Sequence, residues 1–348
     1  MPAVQKSKFS TTKLPDADRF EAWRESISSI FDVAQNPLQD NRRFDAQLES
    51  FLIGGQLMLC RCKTVSQVFE RSSLRTAMDG LDYYLVQTHL SGEQTAKRGS
   101  KTSRSKVGEL LIIDLADTHF AETADFEHLT VVVPRPMLAP LLKQPDTQEG
   151  RVLSGENPLT RLAVNHLKTL GGVIEHVSDE GASSLIEPTL GLIASAINGT
   201  ESSVDGGAGA IASSVLTRAK MQIEQHLHRP DLSAEAVCGL LRMSRASVYR
   251  LFEPYGGVRA YIQERRLRRA AIDLTLSRNN HRPIYDVAFY WGFSSEAHFS
   301  RAFKKRFGAT PREFRTRQKT ERPEQNIIPV DRIGDRNYEQ WLGETLKG

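Results

Sequence analysis

Three cysteines in 348 residues are too few for the disulfide framework of a small secreted fold. Cys60 and Cys62 stand two apart on one face of a predicted strand, with no second Cys or His pair at zinc-finger spacing. They read as buried thiols, and so does Cys238, at a small core position of a predicted helix. No apolar run approaches the ~18 residues of a membrane helix. The lysines near the N-terminus have no apolar segment behind them, so no secretory leader is expected and the cytoplasm is the expected location. Catalytic signatures are also scarce: there is no phosphate loop, dinucleotide fingerprint or Ser/His/Asp signature. A metal oxygenase would need two or three histidines and a carboxylate converging on one ion. The strand region offers His89, His119 and His128 but no His-x-His pair. The one such pair, His226 and His228, lies near a helix end, where residues two apart do not face each other. Neither enzymatic activity nor a metal or cofactor is expected.

What is present is positive charge in one place. Residues 211–320 carry 21 Lys+Arg against 9 Asp+Glu, and the rest of the chain carries 25 against 33. A net +12 beside a net −8 is the footprint of a polyanion-binding module joined to an acidic partner domain. The basic half is organised around Trp291-Gly292-Phe293-Ser294-Ser295, a glycine turn with two candidate serine N-caps. A helix follows with Phe299, Ala302, Phe303 and Phe307 at 3–4 spacing. Its other face carries Glu296, Ala297, Ser300, Arg301, Lys304 and Lys305. The stretch before it, from Pro283, reads as a short helix with Ile284, Val287 and Ala288 on its apolar side. Helix, turn, second helix is the helix-turn-helix plan, whose second helix fits the major groove of DNA.

A second copy lies upstream. Val237 and Cys238 match Val287 and Ala288 at an offset of 50, while Ser244, Val248, Arg250, Phe252 and Gly257 match Ser295, Phe299, Arg301, Phe303 and Gly308 at an offset of 51. An internal repeat of this kind points to two groove-reading helices on one chain. Residues 258–277 read as the helix linking them, through Tyr261, Ile262, Leu267, Ala270, Ala271 and Leu274. Pro254 predicts that the first reading helix stops early.

Residues 232–252, Arg266-Leu267 with Ala270, Gly292-Phe293, residues 298–304 and residues 308–315 resemble the AraC/XylS family of transcription regulators. The resemblance covers about residues 211–317 and implies a bipartite domain with both recognition helices on one face of double-stranded DNA. Glu253-Pro254 departs from the family pattern, which more often has basic residues there. Residues 108–114 and 131–138 more loosely resemble the cupin-like sensor domain of one branch of that family. That resemblance implies a small-molecule effector, dimerisation and activation through RNA polymerase.

The expected fold class is α+β: an N-terminal β-barrel or sandwich (cupin-like) with flanking helices, and a C-terminal all-α double helix-turn-helix domain. Residues 1–14 are expected to be loose, with a helix over 16–31. Strands are expected at 44–53, 56–62, 66–71, 83–90, 94–98, 109–114 and 129–133, punctuated by Gly54-Gly55, Asp79-Gly80 and Ser91-Gly92. Two helical stripes follow, one through Leu159, Leu162, Ala163, His166, Leu167 and Leu170, the other over 185–197. Either could serve a homodimer or simply pack on the barrel. The expected domains are an effector-sensing domain at 15–198, a flexible linker at 199–210, the DNA-binding domain at 211–317 and a polar tail at 318–348 with a short helix near 338–346.

Arg245, Ala246, Tyr249 and Arg250 in the first recognition helix, and Glu296, Ala297, Ser300 and Arg301 in the second, are the candidate base readers. They are the exposed positions and those that match the family's base-reading ones. Arginine can fork onto guanine, Glu296 can accept from cytosine, and the alanines can meet a thymine methyl. Ser244, Ser295, Lys304 and Lys305 are candidate phosphate contacts. The bland alternatives are phosphate clamping by Arg250 and Arg301 and capping of the core by Tyr249. The expected function is a ligand-responsive activator, cytoplasmic and nucleoid-associated. The alternatives are a repressor of the same fold, an architectural DNA-coating protein and a metal-dependent cupin enzyme fused to a DNA-binding domain.

Overall fold

The computed structural model describes residues 3–36, 43–72, 75–76, 81–98, 101–199, 208–275, 282–320 and 333–344. The chain divides into two compact units: residues 1–72, 81–202 and 326–348 form the first, and residues 73–80 and 203–325 the second.

The first unit is built on two antiparallel sheets. The larger has seven strands in the order β1 (Gln5–Ser10), β3 (Ala46–Ile53), β4 (Leu57–Thr64), β11 (Phe126–Pro134), β6 (Tyr83–Ser91), β9 (Leu110–Asp114) and β12 (Arg151–Leu153). The smaller has five, in the order β2 (Asp32–Gln35), β5 (Gln67–Arg71), β10 (His119–Thr123), β7 (Glu93–Arg98) and β8 (Lys101–Lys106). The sheets do not close into a barrel; the arrangement is a sandwich, so of the two expected forms the sandwich holds. Side chains of the large sheet alternate between two cores. Tyr83, Leu85, Leu111, Ile113 and Val132 point into the core between the sheets. Tyr84, Val86, Leu110, Ile112, Val131 and Val133 point the other way, into a second core. That second core is covered by α3 (Pro158–Val173) and α5 (Ile186–Gly199), which follow α1 (Asp16–Ile27), the short α2 (Arg135–Leu138) and, between α3 and α5, α4 (Asp179–Ser183). Strands buried on both faces read as continuous apolar runs rather than alternations.

Residues expected to be loose at the N-terminus instead form β1, paired with β3, with Phe9 fully buried. Phe9 is the one apolar residue of β1, which left little apolar signal. Strands β2, β8, β10 and β12 were likewise not foreseen, being short or largely polar. In α3, Ala163, Leu167 and Leu170 are buried as expected, but Leu159 and Leu162 are exposed at 39% and 56%. The Asp79-Gly80 turn lies outside the described residues. So does most of the expected linker: α5 runs to Gly199 and α6 (Ala208–His226) already includes its last positions, leaving 200–207 undescribed.

The C-terminal segment corrects the expectation of a polar tail. Residues of α13 (Asn337–Glu344) return to the first unit, where Tyr338, Trp341 and Leu342 join the core between the sheets, together with Ile333. Asp335 N–H donates to the Lys8 carbonyl at 3.0 Å, and the Tyr83 hydroxyl donates to the Leu342 carbonyl at 2.8 Å. Apolar residues at positions 338, 341 and 342 share one helical face. In the sequence they are scattered among charges.

The second unit is helical: α6, α7 (Ala234–Leu241), α8 (Arg245–Phe252), α9 (Val258–Thr275), α10 (Ile284–Tyr290), α11 (Glu296–Phe307) and α12 (Pro311–Thr320). It has two cores. Val237, Val248 and Phe252 pack with Val258, Tyr261 and Ile262. Phe293, Phe299, Phe303, Phe307 and Phe314 pack with Leu267, Ala270, Ala271 and Leu274. The first half of α9 therefore serves one core and its second half the other. Its 18 residues make a strut of ~27 Å at about 1.5 Å per residue.

Candidate nucleic-acid interface

Each copy of the repeat has the same local design. The turn between its helices passes through a left-handed residue, Arg242 at φ 53° in the first and Gly292 at φ 73° in the second. A serine then caps the next helix: Ser244 Oγ accepts the Ser247 N–H at 3.1 Å, and Ser295 Oγ accepts the His298 N–H at 3.2 Å. Each cap contributes about 1 kcal/mol. Below the caps, Val248 and Phe252, and correspondingly Phe299, Phe303 and Phe307, fix the buried face. As the proline predicts, the first recognition helix stops at Phe252, and a single 3₁₀ turn, Glu253–Tyr255, follows.

The opposite faces are open. Arg245, Ala246, Tyr249 and Arg250 are exposed on α8; Glu296, Ala297, Arg301, Lys304 and Lys305 are exposed on α11, with Ser300 half-buried beside them. Tyr249, at 43% exposure, does not cap the core. Arg245 is held by its neighbours, 3.3 Å from Glu235 and over the Tyr249 ring at 5.5 Å. Among the described residues, no ion pair engages Arg250, Arg301, Lys304 or Lys305.

Much of the remaining positive charge is spent internally. Arg265 and Arg269 of α9 pair with Glu224 of α6. Arg268 and Arg306 converge on Glu264 at 2.8 Å each. Burial would raise the Glu264 carboxyl, but the two guanidiniums outweigh it and hold it below its ordinary value. Arg266 donates to three backbone carbonyls, Leu227 at 3.0 Å, Gly292 at 2.9 Å and Arg229 at 2.5 Å. It thereby ties the end of α6 to the turn of the second helix-turn-helix. Sequence reasoning missed this clasp. A run of four arginines, Arg265, Arg266, Arg268 and Arg269, looks like a solvated basic face, and only their partners reveal an internal one. His226 is similarly internal, with its Nδ1 2.7 Å from the Gln222 carbonyl.

The profile of a helix-turn-helix domain family matches residues 237–317 of the chain, and that of the AraC-binding-like domain family matches residues 23–198, just over half of it. The chain belongs to the AraC family of transcription regulators. It is 25% identical over 312 residues, 86% of this chain and 90% of the relative, to the transcriptional activator NphR of a Rhodococcus species. To the regulatory protein SoxS of Escherichia coli K12 it is 34% identical over 97 residues, 27% of this chain and 87% of SoxS. Among solved structures, the AraC-like transcriptional activator CuxR aligns with a TM-score of 0.52 at 25% identity, over 76% of this chain and 95% of CuxR. This AraC-family chain is therefore a DNA-binding transcription regulator with an N-terminal sensor domain. No helix among its described residues is long and apolar enough to cross a membrane.

Proposed function

We propose that this regulator is a ligand-responsive activator whose two recognition helices read successive major-groove faces of one operator. Arg250 and Arg301 fork onto guanines, and Glu296, Ala246, Ala297, Arg245, Tyr249 and Ser300 complete the base contacts. Lys304 and Lys305, with the helix N-termini at Ser244 and Ser295, hold phosphates. A small molecule in the N-terminal unit shifts the balance between an active and a silent state. In the active state the regulator, bound in the nucleoid, contacts RNA polymerase. A second copy meets the exposed Leu159 and Leu162 side of α3. The observation that carries the base-reading assignment is that Arg250 and Arg301 occupy equivalent, exposed positions, free of ion pairs among the described residues, on two helices braced against one strut.

The test begins with operator selection from a random DNA library by the full chain, followed by titrations at two salt concentrations. A bidentate base contact is worth ~1–3 kcal/mol. Arg301→Ala should therefore weaken operator binding roughly ten- to a hundredfold at ~1.4 kcal/mol per decade and flatten the preference at one base pair. Lys304→Ala should weaken all sequences alike and reduce the salt slope by about one. Because α8 is cut short at Phe252, Arg250→Ala should cost less than Arg301→Ala. If Arg301→Ala weakened operator and random DNA by one factor, Arg301 would be a phosphate clamp.

A further inference from the structure

The core between the two sheets of the first unit holds a cavity of about 80 Å³. At ~10–15 Å³ per water centre it has room for on the order of six waters, or one six-membered ring with a short substituent. Its walls are apolar: Trp23, Phe31, Leu48, Met58, Phe69 and Ile113 are among them. Trp23 brings no free polar atom, because its indole N–H already donates to Gln67 Oε1 at 2.7 Å.

Polar groups are few on the exposed cavity wall. His128, also on the wall, is pushed down to about 3 by burial and by the neighbouring His89, and so carries no charge at pH 7. Its Nδ1 lies 3.0 Å from the Thr130 hydroxyl. Burial pushes the Cys60 thiol up to about 12, so it stays protonated. His119, also on the wall, lies 2.7 Å from the buried Glu149 carboxylate. Among the described residues, no lysine or arginine lines the cavity. Gln87, only 4% exposed, faces the cavity, and among the described residues no hydrogen bond engages its side-chain amide. A ligand group able to donate and accept would give that amide a partner, worth about 0.5–1.5 kcal/mol. One wall comes from far along the chain. Tyr338 of α13 lines the cavity, 2% exposed, with its hydroxyl bonded to Ser26.

We infer that the effector is a neutral, largely apolar molecule about one ring in size, carrying one hydroxyl or similar group that bonds Gln87, and that Tyr338 of the C-terminal helix forms one wall of its site. An anion would enter a low-dielectric space with no cation to pair it, and a sugar would find too few partners for its hydroxyls. The inference rests on the ligand-responsive reading above and names its ligand class.

The test is calorimetric titration of the full-length chain, without DNA, with toluene, benzyl alcohol and benzoate at pH 7.5. Benzyl alcohol should bind at least tenfold more tightly than benzoate and about tenfold more tightly than toluene, as one recovered hydrogen bond implies. Gln87→Leu should erase the advantage of the alcohol over toluene and leave toluene binding intact. Tyr338→Ala should open the site to 1-naphthalenemethanol, which the unaltered chain should bind at least tenfold more weakly. If that variant unfolds, the conservative Tyr338→Phe with hydrogen exchange of residues 333–344 replaces it: benzyl alcohol should slow exchange there severalfold. Tightest binding by benzoate, no binding of any probe, or an alcohol preference that survives Gln87→Leu would overturn the ligand class. An unchanged size preference and unchanged exchange would overturn the Tyr338 wall. Whether the bound alcohol alters affinity for the selected operator is a separate titration. Saturable cavity binding with no change there would refute the ligand-responsive reading while leaving the site standing.

Discussion

The two turns of the repeat should respond oppositely to exchanges between glycine and a side chain. Gly292 sits at φ 73°, and a Cβ added there would lie 2.6 Å from the Arg266 guanidinium. Gly292→Ala therefore incurs a left-handed backbone cost of about 1–2 kcal/mol. It also pushes away a guanidinium that clasps three carbonyls, at about 1.5–3 kcal/mol for a charged hydrogen bond lost. A total of about 3 kcal/mol would be a large share of the ~5–15 kcal/mol that holds a domain folded. At the equivalent position of the first copy, Arg242 already occupies the left-handed region at φ 53° with its side chain exposed. Arg242→Gly relieves that strain against a larger unfolded-state entropy, for a net gain of about 0.5–1 kcal/mol. Amide hydrogen exchange of the full chain reads both effects locally. Protection of residues 296–307 should fall roughly a hundredfold in Gly292→Ala, at ~1.4 kcal/mol per decade, and protection of residues 245–252 should rise two- to fivefold in Arg242→Gly. Equal protection of 296–307 before and after Gly292→Ala would refute the reasoning, because it would mean that neither the φ angle nor the Arg266 clasp limits opening of that helix.

Neighbouring cations on α11 should separate by role. Arg306→Ala leaves Glu264 half-unpaired and should cost about 1–3 kcal/mol in urea unfolding, whereas exposed Lys305→Ala should stay within ~0.5 kcal/mol. Buried His89, with neither ring nitrogen hydrogen-bonded among the described residues, is lowered to about 4, chiefly by burial. Because the unfolded chain then binds the extra proton from pH ~6.5 downward, stability is full above that value and falls as pH drops toward 4. Unfolding free energies from urea titrations at pH 7.5 and 5.0 should differ by roughly 2 kcal/mol from this group, at ~1.36 kcal/mol per pH unit, and His89→Phe should remove that share. Ending the chain after Thr320 removes Tyr338, Trp341 and Leu342 from the first core. At about 1.5–3 kcal/mol per buried side chain the first unit should lose on the order of 5 kcal/mol, seen as an early melting transition, while selected operator DNA remains bound.

The helix-turn-helix repeat was legible in the sequence because its determinants are local. Caps at Ser244 and Ser295, apolar residues at 3–4 spacing and the break at Pro254 act within one or two turns of chain, and two copies at nearly one offset make coincidence untenable. The exposed face of each recognition helix followed from the same spacing, so Arg250, Arg301 and Lys304 were placed correctly on the surface without any tertiary information. Strands with an apolar run, such as Leu110–Asp114, were equally visible. What the sequence could not specify was who meets whom across long separations. The arginines of α9 carry the same charge whether they face solvent or a buried carboxylate, and only packing shows Arg266 on three carbonyls and Arg268 on Glu264. Whether the two sheets close into a barrel depends on which strands pair at their edges. No local pattern encodes that choice. The return of residues 333–344 to the first unit, and with it the Tyr338 wall of the cavity, joins positions more than three hundred residues apart. Such contacts form because burial is indifferent to sequence distance, and for that reason they are settled in the folded state alone.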